Sequence, residues 1–167
     1  MALIAERSDL LLSQIRALQN NLAFISSTAG SIDCSSLEWV NPLTVLPLAA
    51  TIHDSSREVT DCNAYLKTIG FPNGIDSMSD LSKDRTYLPI VRFPNNDTTI
   101  LEQLTDGFSQ LVLHSLSFQQ NIHNAWHYAI GELVTNICEH SKSPYGWLFA
   151  QYYPMKEFLD FIVLDRG

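Results

Sequence analysis

Three polar residues late in the chain are spaced so that a single α-helix would carry them together. Glu132, Asn136 and His140 follow one another at intervals of four, which on an α-helix places them along one face with a drift of about 40° per step. A carboxylate can orient or deprotonate an attacking water or hydroxyl. An amide oxygen can bind Mg²⁺ without adding charge, and an imidazolium can neutralise a phosphate oxygen. The three groups therefore suit a site for magnesium and a nucleotide.

The segment that holds these residues reads GELVTNICEHS. It resembles the N-box of the GHKL family of ATP-binding domains, which includes gyrase-like ATPases, histidine kinases and the anti-sigma-factor serine kinases. The pattern E-L-V-x-N-x-x-E-H is similar to the kinase and anti-sigma version. The resemblance implies that Asn136 is the Mg²⁺ ligand, that Glu132 is the catalytic base and that His140 contacts the phosphate side of ATP.

A second motif follows at Asp165-Arg166-Gly167, where a predicted strand ends. It resembles the beginning of the family's D-x-G-x-G motif, which implies that Asp165 accepts a hydrogen bond from the adenine amino group and that Gly167 lets the backbone approach the base. The rest of that motif, the ATP lid and the later glycine-rich motif are not among these 167 residues. We therefore expect a fragment of a longer protein, or a shortened one, that binds ATP and Mg²⁺ weakly or not at all and does not turn ATP over.

The first part of the chain carries three weaker similarities. The segments 36–43, 65–71 and 87–93 resemble the STAS-like domain that precedes GHKL domains in some bacterial proteins. We therefore predict a STAS-like regulatory module over residues 1–94 and an incomplete ATP-binding domain over residues 95–167. STAS domains in sigma-factor control dock onto GHKL kinases, which implies a regulatory protein partner. They are phosphorylated near a helix start, where Thr44 lies, although a capping role for Thr44 is the simpler interpretation.

Hydrophobic periodicity and turn residues predict a mixed α/β (α+β) fold that ends in an antiparallel hairpin. Trp126, Ile130, Leu133 and Ile137 are predicted to form the buried stripe of the last helix. The predicted helices cover residues 3–20, 42–53, 62–69, 99 onward and 117–139. The predicted strands cover residues 22–26, 37–40, 58–60, 87–93, 146–153 and 158–164, with a turn at 28–33 and an irregular segment at 72–86.

The amino-acid composition limits the classes of protein to which the chain can belong. Hydrophobic residues make up 46% of the chain and charged residues 17%, which supports a buried core. The formal net charge of −8 disfavours nucleic acid as a partner. The three cysteines fit free thiols in a cytoplasmic protein, and neither a signal peptide nor an apolar run long enough for a membrane span is present in the sequence.

Several functions stay open at this point. The intact protein would hydrolyse ATP or transfer its phosphoryl group to a protein Ser or Thr, and both reactions would use the same carboxylate. The alternative is a non-catalytic interaction module whose hairpin edge recruits a partner strand. A DNA-binding regulator is disfavoured by the charge, and a zinc site at His123 and His127 lacks a third ligand. A homodimer and a monomer are both compatible with the sequence.

Overall fold

The computed structural model describes residues 11–27, 29–37, 41–75, 86–96, 99–115 and 120–167. Helices and strands are mixed along the chain, which confirms the α+β class. The helices are α1 (Leu11–Ser27), α2 (Pro42–Asp54), α3 (Ala64–Thr68), α4 (Thr99–Ser115) and α5 (Gln120–His140). The strands are β1 (Ile32–Asp33), β2 (Val59–Asp61), β3 (Tyr87–Pro94), β4 (Tyr145–Tyr153) and β5 (Phe158–Leu164).

Helix α2 begins where the sequence predicts. The Asn41 side chain accepts a hydrogen bond from the Thr44 N–H over 3.1 Å, and Pro42 occupies the first helical position. Asn is a favoured N-cap, and proline at this position loses no intrahelical bond. The Thr44 hydroxyl is buried and donates to Asn41. Thr44 therefore serves the helix start, as its simpler interpretation predicts.

The longer sheet is antiparallel, with the strand order β3-β4-β5. Strands β4 and β5 form the predicted hairpin around the 3-10 turn Pro154–Lys156, and Glu157 closes it in a left-handed conformation. Strand β3 lies at one edge of this sheet, as the proline at position 89 predicts. Its register shifts between Leu88 and Val91, beside that proline.

The sheet separates two hydrophobic cores. Along β4, Trp147 and Phe149 face the first core, which holds buried residues of α1, α2 and α3, whereas Leu148 and Ala150 face the second, which holds buried residues of α4 and α5. This alternation is the period of two that any strand imposes on its side chains. Strand β4 is therefore buried on both faces at its centre and joins the two cores.

Two predictions near the N-terminal end of the described chain are wrong. Residues 22–26 continue α1 instead of forming a strand, and β1 occupies Ile32–Asp33 within the predicted turn. The reason is tertiary packing, because Asn21 and Ile25 are the residues of α1 that are buried and a local break at Asn20-Asn21 would expose them. The helical spacing of Leu11, Ile15, Leu18 and Leu22 predicts one apolar face, but Leu11 is exposed.

Some predictions fall outside the described residues. These are the helix start near residue 3, most of the predicted strand 37–40, the segment 76–85 and the predicted cap at Ser117. The predicted boundary at residue 94 stays a prediction, although β3, which precedes it, pairs with β4, which follows it. None of the described helices has both the length and the apolar character needed to cross a membrane.

Candidate functional site

Helix α5 packs on the sheet through a narrow apolar stripe. Ile130, Val134 and Ile137 are at most 4% exposed and belong to the second core. Two residues that were predicted to join this stripe do not, since Trp126 is 37% and Leu133 is 45% exposed. Leu133 lies about 100° around the helix from Val134, which carries its side chain to the margin of the contact.

The polar side of α5 carries the three residues singled out by their spacing. Glu132, Asn136 and His140 are all exposed; on a regular helix Glu132 lies roughly opposite the stripe, Asn136 about 130° from it and His140 about 90° from it. We call these three residues the polar ridge. The His140 imidazole lies 3.8 Å from the Glu139 carboxylate, and both side chains are well exposed. All three groups of the polar ridge can therefore meet a ligand from solvent.

The segment after β5 folds back on itself. Leu164 of β5 pairs with Trp147 of β4, and the Gly167 N–H then donates to the Asp165 carboxylate over 2.8 Å. Between them, Arg166 forms a salt bridge of 3.0 Å with Asp54 at the end of α2. Its guanidinium also donates to the Thr51 hydroxyl over 3.2 Å. Helix α2 thus fixes the position of the segment 165–167.

The same segment contacts the turn that follows α5. A Cβ atom at Gly167 would lie 2.8 Å from the Ser141 hydroxyl oxygen and 3.1 Å from the Ser143 nitrogen. Only a glycine allows this approach, because such distances are shorter than the contacts that real Cβ atoms make. The turn is held by the Ser143 N–H, which donates to the Ser141 hydroxyl over 3.0 Å.

The structure therefore joins one end of the polar ridge to the second motif. Gly167 lies beside the residues that directly follow His140, and Asp165 is exposed next to it. Asn136 and Glu132 lie farther along the helix, roughly 6 and 12 Å from His140 along its axis at the standard rise per residue. Gly167 of the second motif contacts the His140 end of the ridge. The distances of Asn136 and Glu132 from that contact follow from helix geometry alone.

The chemistry of the polar ridge fits a hard cation bound together with phosphate oxygens. An exposed amide and an exposed carboxylate supply oxygen ligands of the kind Mg²⁺ prefers. Within the described part of the chain, no group of three or more His, Cys, Asp or Glu side chains could hold a metal ion.

Two features near the sheet escaped the sequence interpretation. Arg92 donates to the His53 ring over 2.9 Å and lies 4.9 Å from the centre of the Tyr145 ring, which builds a polar cluster on the α2 side. A cleft of about 380 Å³ lies at the turn of the hairpin and contains no residue of α5. The polar cluster and the cleft each bring together residues that are distant in the sequence, so no local sequence pattern predicts them. The cleft is lined by Leu11, Gln14, Asn41, Leu43, Tyr153, Lys156, Phe158 and Asp160.

Comparison with known proteins gives no relative from which a function could be carried over. No family model, curated protein or solved structure matches the chain.

Proposed function

We propose that the protein is an ATP-binding regulatory protein of the GHKL type, resembling the anti-sigma-factor kinases and histidine kinases. The observation that supports this most directly is the exposure of Glu132, Asn136 and His140 on one side of α5. An amphipathic helix requires only that the residues on its exposed side be polar, and any polar residues would meet that requirement. A carboxylate, an amide and an imidazole at successive turns are the groups that a magnesium nucleotide requires.

Each residue has a distinct proposed role. Asn136 would hold Mg²⁺ through its amide oxygen, and the ion would offset the charge of the phosphates. Glu132 would orient or deprotonate the attacking water or hydroxyl, and His140 would contact a phosphate oxygen. Asp165 would accept a hydrogen bond from the adenine amino group, and Gly167 would admit the base close to the backbone.

The contact between Gly167 and the turn after α5 supports this assignment. It holds the proposed adenine-binding segment against the end of the helix that carries the proposed phosphate-binding residues. ATP bound to both the segment 165–167 and α5 would therefore span two parts of the molecule that are in direct contact. ATP hydrolysis and phosphoryl transfer to a protein Ser or Thr are both compatible with Glu132. We place the protein in the cytoplasm with a regulatory protein as partner, through a STAS-like first module.

The proposal is tested by calorimetric titration of Mg-ATP into the 167-residue chain and into any longer form of the protein. We expect weak or undetectable heats from the chain and a clear isotherm from a longer form. Asn136→Ala should weaken binding at least tenfold, about 1.4 kcal/mol, because the magnesium ligand is lost. Asn124→Ala is the matched control, since Asn124 is also an exposed amide on α5. Equal isotherms for the wild type and Asn136→Ala in the longer form would refute the proposal.

The second candidate function is protein–protein interaction through β5, without catalysis. Strand β5 is at an edge of its sheet, six of its seven residues are apolar, and none is fully buried. An edge of this kind is a template for a further strand. Ile162→Lys should abolish partner binding or self-association without changing ATP binding, as measured by analytical ultracentrifugation. An unchanged sedimentation profile in the presence of the partner would exclude this function.

A further inference from the structure

The short parallel sheet brings together two cysteines that are far apart in the sequence. Asp33 of β1 is in register with Asp61 of β2, and Cys34 and Cys62 are the next residues. The Cys34 N–H donates to the Asp61 carbonyl over 3.0 Å. Neighbouring strands lie about 4.8 Å apart, and a disulfide spans Cα atoms roughly 4.4–6.8 Å apart. The register therefore holds the two thiols where a bond between them can form.

The two thiols have different surroundings. Both are free, Cys34 is fully buried, and Cys62 is partly exposed at the margin of the first core. Burial raises the pKa of Cys34 to about 12. Burial also raises the pKa of Cys62, but a hydrogen bond from the Cys34 thiol opposes that rise. Cys62 is thus the thiol that a reagent in solution reaches first, and Cys34 is the neighbour that can displace it.

We propose that Cys34 and Cys62 form a reversible intramolecular disulfide, with a low-molecular-weight disulfide as the oxidant. The Cys62 thiolate attacks one sulfur of the small disulfide, whose S–S bond breaks and releases one small thiolate. The Cys34 thiol then loses its proton to solvent and its sulfur attacks Cys62, which releases the second small thiolate. Two protein thiols are oxidised, and one small disulfide is reduced to two thiols.

The bond would close a loop that contains the whole of α2. A cross-link restricts the unfolded chain more than the folded one, so the oxidised protein should be the more stable form. We expect the melting temperature to rise by about 5–10 °C, from the loop length and the size of the chain. Oxidation would lock the strand pair β1–β2, whose few residues otherwise hold together through little backbone pairing.

The experiment exposes the folded chain to oxidised glutathione and follows its intact mass, its peptide map and its melting temperature. We expect the loss of two hydrogen atoms with no glutathione retained, and a peptide containing Cys34 joined to one containing Cys62. Dithiothreitol should reverse both changes. Cys138→Ser is the control, because Cys138 lies on α5 and takes no part in the pair; it should oxidise like the wild type.

Single variants separate the two steps. Cys34→Ala should retain one glutathione on Cys62, and Cys62→Ser should carry none on Cys34, since Cys34 is buried. Circular dichroism verifies that each variant is folded, and the peptide map of the wild type decides the outcome even if Cys34→Ala unfolds. The proposal is overturned if folded wild type retains glutathione on Cys34 or Cys62, links either of them to Cys138, or keeps both Cys34 and Cys62 as thiols after prolonged exposure.

Discussion

The pKa of the Asp160 carboxylate is shifted by the position of this residue in the hairpin. Burial raises its pKa above 3.8, while a hydrogen bond from the Tyr153 hydroxyl and the charge of Lys156 oppose the rise. Burial also raises the pKa of Tyr153, and the negative charge of Asp160 adds to that effect. Folding therefore disfavours the charged form of Asp160, and substitution of this residue can reveal the cost in stability.

The folded protein holds a proton on Asp160 to a higher pH than the unfolded chain does. By linkage, its contribution to the free energy of unfolding falls as pH rises from 3.8 through the raised folded pKa, and stays low above it. Asp160→Asn should remove this loss. The variant's stability relative to the wild type should thus grow as pH rises above 3.8 and level off above the raised folded pKa, as measured by urea unfolding at successive pH values.

Tyr153→Phe provides the companion measurement. Removing the hydroxyl takes away a hydrogen bond that favours the charged carboxylate, so the pKa of Asp160 should move further up. The fall in stability should then extend to higher pH than in the wild type. A difference between Asp160→Asn and the wild type that did not vary with pH would contradict this assignment.

At the scale of elements, the contact between α5 and the sheet depends on a glycine. A Cβ at Gly146 would clash with the Phe93 ring and lie 2.9 Å from Ile137, and both side chains are buried. Gly146→Ala should therefore destabilise the protein by about 1–3 kcal/mol through overpacking. Denaturant unfolding measures the change.

Gly131 is the matched control on α5. No atom lies within 4 Å of a Cβ built there, and alanine is the better helix former, so Gly131→Ala should stabilise the protein by about 0.5–1 kcal/mol. Opposite signs for the two variants are expected. If both destabilised equally, the close packing of Phe93 on Gly146 would not be the cause.

The elements also show what the sequence could predict. Local signals predicted α2, because Asn41-Pro42 caps it, and predicted the hairpin, because Pro154–Glu157 separates two runs rich in apolar and aromatic residues. The side of α5 that carries the polar ridge also followed from helical geometry. The contact of Gly167 with Ser141 could not be predicted, since it joins residues that only the folded sheet brings together. The proximity of Cys34 and Cys62 could not be predicted for the same reason.

At the scale of the whole molecule, β4 determines whether the described chain unfolds in one step. Its residues Trp147 and Phe149 lie in the first core and Leu148 and Ala150 in the second. Neither core can be exposed without disturbing this strand. We expect one cooperative transition, with circular dichroism and tryptophan fluorescence giving the same midpoint.

Substitution at β4 should lower that single midpoint for every probe. Phe149→Ala removes a fully buried ring and should cost about 3–5 kcal/mol. Phe158→Ala is the matched control, because that ring is 40% exposed, and its cost should be clearly smaller. Two separate transitions would instead favour independent modules divided near residue 94.

The order of the strands has a consequence for synthesis on the ribosome. Strand β3 emerges well before β4, because roughly fifty residues separate Pro94 from Tyr145. At typical elongation rates that interval lasts roughly 3–10 s, during which Leu88, Val91 and Phe93 cannot reach their partner strand. A nascent chain in this state offers an apolar strand to any chaperone nearby, and slow codons between residues 95 and 144 would lengthen the exposure.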